Sequence, residues 1–87
     1  MKGTTTTGFN FEIAEDVRDD MELLEALIAI DNGDLRELPN VLVSLLGKEQ
    51  KKALYDHCRT EKGRASASRI MAELKEIFES ADKELKN

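Results

Sequence analysis

His57 and Cys58 are the two side chains whose types suggest nucleophilic chemistry, since the chain has one histidine and one cysteine and they are neighbours. On a helix, adjacent side chains point about 100° apart, so a thiol and its neighbouring imidazole do not form a nucleophile–base pair. The better account is a buried thiol acting as a small hydrophobe, with His57 at the helix edge. Asp31-Asn32-Gly33-Asp34 faintly resembles a calcium loop, but it lacks the alternating D-x-[DN]-x-[DN]-G spacing and the distal ligating glutamate. A single cysteine excludes an intramolecular disulfide and a zinc cluster. No metal, cofactor or catalytic residue is therefore assigned, and no enzyme is expected. Gly63-Arg64, beside Lys62 and near Arg59 and Arg69, reads as a solvated loop between helices, with a small basic docking point as the alternative.

What remains for function is apolar surface. The last helix, starting near Ser66 or Ser68, carries Ile70, Leu74, Ile77 and Ala81 as a stripe, with Met71, Phe78 and Leu85 beside it. Glu73, Lys75, Glu76, Glu79, Lys83 and Glu84 are expected on the opposite, solvated face. The apolar set spans more than one narrow face. Ile70, Met71, Leu74, Ile77, Phe78 and Leu85 are accordingly the candidate protein-binding residues.

The elements that position this helix follow from the rest of the chain. Eighty-seven residues, 40% hydrophobic and 36% charged, make a single domain near the lower limit for one core. Two dense apolar runs, Leu23 to Ile30 and Val41 to Leu46, must form its middle. The first helix is expected from Asp19, with Glu22 completing a capping box, and to stop at Asp31–Asp34, where Gly33 takes a positive φ. Leu23, Leu27 and Ile30 form its main stripe, widened by Met21, Leu24 and Ile28. Pro39 opens a short second helix that Gly47 ends, and Lys48 to Thr60 follow as a third at an angle to it. Phe9, Phe11 and Ile13 alternate with polar residues, as in a half-buried strand. That strand folds back at Gly8 onto the threonine run, or pairs with another copy, or residues 1–8 form a flexible arm. The expected fold is mostly α: about four helices with a short N-terminal strand or hairpin, and a helical body over residues 9–85.

Charge narrows the partners. Residues 12–37 hold ten acids against Arg18 and Arg36, a local charge of −8 within a net of −5, while residues 48–87 carry +2. This disfavours nucleic acid. No apolar run approaches the roughly 18–20 residues of a membrane span, and the N-terminus has no signal-peptide pattern, so a cytoplasmic protein is expected.

LLEAL at 23–27, D-NGD-L-ELP-V-LLG-EQ from 31 to 50 and L-DH-R-E-GR from 54 to 64 together resemble the small tail assembly chaperones of long-tailed phages and prophages of Gram-positive bacteria. The likeness covers about residues 9–80; it departs at Ala65-Ser66-Ala67-Ser68, where the family pattern has a larger apolar residue and a proline. The resemblance implies a non-catalytic role: coating the tape-measure protein, keeping it soluble, and recruiting tail-tube subunits, in the host cytoplasm and outside the finished virion. It also implies a longer form made by −1 frameshifting near Lys86-Asn87. Two other classes stay open. One is an acidic regulator or inhibitor that binds a host enzyme, with DNA mimicry through the residue 12–37 acids as its mode; the other is a homo-oligomer paired through the residue 9–13 strand.

Overall fold

In a computed structural model the backbone is described for residues 1–85 and the side chains for residues 1–81. The expected fold class holds. Two short antiparallel strands, β1 (Lys2–Thr4) and β2 (Asn10–Glu12), precede three helices: α1 (Met21–Asp31), α2 (Leu38–His57) and α3 (Ala67–Leu85). The frameshift expectation at Lys86-Asn87 falls outside the described residues. Among the described residues no helix is long and apolar enough to cross a membrane.

The hairpin closes within the chain, with Lys2 opposite Glu12, Gly3 opposite Phe11 and Thr4 opposite Asn10. Residues 1–8 are thus a strand and a turn. The Thr5 N–H donates to the Phe9 carbonyl (2.9 Å) and the Gly8 N–H to the Thr5 carbonyl (2.9 Å), while the amino terminus donates to the Ile13 carbonyl (2.7 Å). The period-2 pattern places Phe9, Phe11 and Ile13 in the core. Gly3 leaves room for the Phe11 ring: a Cβ there would lie 2.6 Å from its Cζ, so the buried ring would have to shift. A 3-10 turn at Glu15–Asp19 then buries Val17 and leads to α1.

Helix α1 is capped one residue later than expected, which puts Leu23 rather than Glu22 at its third position, out of register for the capping box. Asp20, in extended conformation, is its N-cap and accepts from the Leu23 N–H at 3.1 Å. Its end is a Schellman motif: the Asp34 N–H reaches the Ala29 carbonyl and the Gly33 N–H the Ile30 carbonyl, both at 2.9 Å, with Gly33 at φ 91°.

Helix α2 is the axis of the domain. Pro39 sits in its first turn, and Val41, Leu42, Leu45, Leu46 and Leu54 are all buried. The two helices expected on either side of Gly47 are both present and meet end to end at a kink within Leu38–His57: Gly47 takes φ 80°, ψ 167°, a non-helical conformation essentially confined to glycine. The break interrupts the helical hydrogen-bond ladder. Gln50 covers it, its amide donating to the Leu46 carbonyl (2.7 Å) and the Glu12 carbonyl (2.6 Å) while its oxygen accepts from the Glu12 N–H (2.6 Å). One side chain thereby mends the kink and staples β2 to α2.

After α2 the chain turns through a loop held by a bridge between Arg59 and Ala65. Ser66 caps α3, accepting from the Arg69 N–H at 3.3 Å. Ile70, Leu74, Ile77 and Ala81 complete the core with Cys58.

Candidate functional site: an apolar groove between the first and last helices

Helices α1 and α3 both pack on α2 and leave an open groove of about 700 Å³ between them. One wall is Leu24, Leu27, Ile28, Ile30 and Asp31 of α1; the other is Met71, Ala72, Leu74, Lys75, Phe78 and Glu79 of α3. The groove follows from composition. Helix α1 reads MELLEALIAID, with apolar residues around most of its circumference, yet only Leu23 is fully buried. Ile28 is 59% exposed, Met21 62% and Leu24 37%. A surface helix normally shows one apolar stripe and a polar back. Here a second apolar side is left over and exposed.

The six candidate residues of α3 divide. Met71, Leu74 and Phe78 reach the groove, Leu74 as its buried floor and the other two half-buried along the wall. Ile70 and Ile77 point the other way, into the core at 4% and 0% exposure, and are structural. Leu85 ends α3, where side chains lie outside the described residues. The opposite wall was not singled out by sequence, because Leu24, Leu27 and Ile28 read equally well as core. The available signal was the excess: adjacent pairs Leu23-Leu24 and Leu27-Ile28 cannot share one face.

The other candidates are accounted for separately. Cys58 is 2% exposed; burial first, then the Glu73 carboxylate, push its thiol above the ordinary range, with Arg69 opposing. A neutral buried thiol is a poor nucleophile. His57 faces away to the hairpin, with its Nε2 2.9 Å from the Thr7 hydroxyl and its ring tilted on Phe9 at 5.4 Å. The Thr7 hydroxyl also donates to Glu73, which is buried, contrary to the solvated position expected for it. Thr6 holds Glu76 by its N–H (2.6 Å) and its hydroxyl (3.1 Å), so the hairpin turn is fastened to α3 at two successive carboxylates.

Around residues 31–34, Asp34 accepts from Arg36 at 2.8 and 2.9 Å, and the guanidinium holds its carboxyl below the usual range. The same carboxylate caps the 3-10 turn at Leu35–Glu37, accepting from the Arg36 backbone N–H at 3.1 Å. Among the described residues no group of three or more His, Cys, Asp or Glu is arranged for a metal. In the 59–69 loop, Arg59 pairs with Asp56 (2.9 Å) and donates to the Gly63 carbonyl (2.9 Å), and Arg69 donates to the Arg59 carbonyl (3.2 Å). These two cations close the loop. The acidic cluster surfaces partly as a smaller concavity of about 400 Å³, bordered by Asp16, Asp19, Asp20 and Glu22.

Compared with family models, with curated proteins and with solved structures, the chain matches none of them.

Proposed function

We propose that this protein is a non-catalytic assembly chaperone of the phage-tail type, holding an amphipathic helix of the tape-measure protein in the α1–α3 groove. The observation that carries the reading is the groove itself: an open, almost wholly apolar channel between two helices, of the kind that accepts the apolar face of a third. The sequence resemblance supplies the client. A tape-measure protein is a long helical chain whose apolar seam needs cover until tail-tube subunits, recruited with the chaperone's help, enclose it. A heavily charged exterior keeps the loaded chaperone soluble. In this reading the protein works in the bacterial cytoplasm and leaves before the virion is complete.

The test is co-expression with the tape-measure protein of the same genome, followed by purification over a salt series. Apolar capture predicts a complex that persists at about 1 M salt, where the Debye length is about 3 Å and exposed charge pairing is screened. A complex that dissolves under those conditions would favour the acidic-regulator reading.

A further inference from the structure

The groove's two walls differ in charge, and that difference specifies its occupant. Helix α1 contains Glu22, Glu25 and Asp31 and no basic residue. Asp31 lines the groove directly, and Glu25 is exposed three residues before Ile28, hence beside it on the outer shoulder of α1. The α3 wall is balanced, with Lys75 and Glu79 both at the lining. A helix lying in the groove therefore meets only acidic charges from α1, Asp31 at the lining and Glu25 on the shoulder about 120° round the helix from it, and a mixed pair from α3. Eleven residues of α1 span about 16 Å, so about three turns of a partner helix are engaged.

Resting on the reading that the groove takes a helix, we infer that its occupant is amphipathic with a one-sided basic flank. The occupant's apolar seam contacts Leu24, Ile28, Met71 and Phe78, and its Lys or Arg side chains are on the side that faces α1, one within reach of Asp31 at the lining and another of Glu25 on the shoulder. The apolar seam supplies most of the affinity. The basic flank sets which way round the helix lies, because rotating it puts cations against the balanced edge and leaves the α1 carboxylates without a counter-charge.

Two synthetic helical peptides with the same Leu/Ile seam test this, one with Lys and one with Glu on the flank. Their binding is read by fluorescence anisotropy at low and high salt, against the wild-type chain and a Glu25→Lys/Asp31→Lys variant. The Lys peptide should bind roughly tenfold tighter at low salt, from a few exposed pairs. The gap should narrow at high salt, and the variant should reverse the preference. Equal affinities, or a preference that the variant leaves unchanged, would overturn the basic-flank assignment even if Ile28→Asp abolishes both complexes and so upholds the groove. If neither peptide binds, the inference also falls. If the Lys peptide binds as described while the tape-measure protein fails to co-purify, the inference stands and the phage-tail reading is what fails.

Discussion

Thr7 and Glu73, 66 residues apart, meet hydroxyl to carboxylate where the hairpin turn lies against α3. Glu73 is 4% exposed, and its second oxygen, Oε2, has no hydrogen-bond partner among the described residues. A buried carboxylate with one satisfied oxygen depends on that one bond, since an unpaired polar group in the interior costs far more than a made bond contributes.

Removing the hydroxyl should therefore hurt more than removing the acid. Thr7→Val leaves both carboxylate oxygens unsatisfied and is expected to cost about 1–3 kcal/mol in urea unfolding. Glu73→Met should be close to neutral. The double variant should recover most of the Thr7→Val loss, a non-additivity that a double-mutant cycle measures directly. Additive effects would mean that the pair does not fasten the hairpin.

Gly47 offers a second test. A Cβ there would meet nothing within 4 Å, so any penalty comes from the backbone, held at φ 80° and ψ 167°. Gly47→Ala is expected to cost about 1–3 kcal/mol, although alanine is the better helix former. A stabilised variant would show that α2 prefers to run straight.

Cys58 should be silent toward alkylating reagents in the native state and react once the chain is opened by urea, at least about tenfold faster by mass spectrometry. The pH dependence has a defined sign. Burial and Glu73 raise the thiol's folded value above its unfolded one. Its contribution to stability is therefore present below about pH 8.5 and is lost as pH rises through the raised value. The stability difference between the wild type and Cys58→Ala should shrink in that alkaline range.

Local patterns in the sequence carried the elements, and tertiary contacts decided what they did not. The alternation of Phe9, Phe11 and Ile13 correctly placed all three in the core, and Pro39, Gly33 and Gly47 each punctuate α1 or α2 as their backbone chemistry requires. A fold-back at Gly8 onto the threonine run is one reading of the sequence, but the strand that pairs is Lys2–Thr4 and Thr5–Gly8 form the turn; three residues with one glycine have no period from which that register could be read. Glu73 was assigned to solvent by its place among charged neighbours, and only Thr7, brought by the hairpin, makes its burial tenable. For the groove, α3 supplied half the answer: Met71, Leu74 and Phe78 line it, whereas Ile70 and Ile77 on the same stripe are core. A single sequence shows that a helix has more apolar surface than one face can bury. Which side is left over depends on where α2 lies.

Whether the α1–α3 groove holds a client helix can be read residue by residue. The most direct measurement is chemical-shift mapping of the isotope-labelled chain, titrated with a tape-measure helix. Perturbations are expected to concentrate at Leu24, Leu27, Ile28, Met71 and Phe78 and to be lost in Ile28→Asp while the fold persists. Perturbations centred instead on the acidic concavity around Asp16, Asp19 and Glu22, or binding indifferent to Ile28→Asp, would contradict docking in the groove.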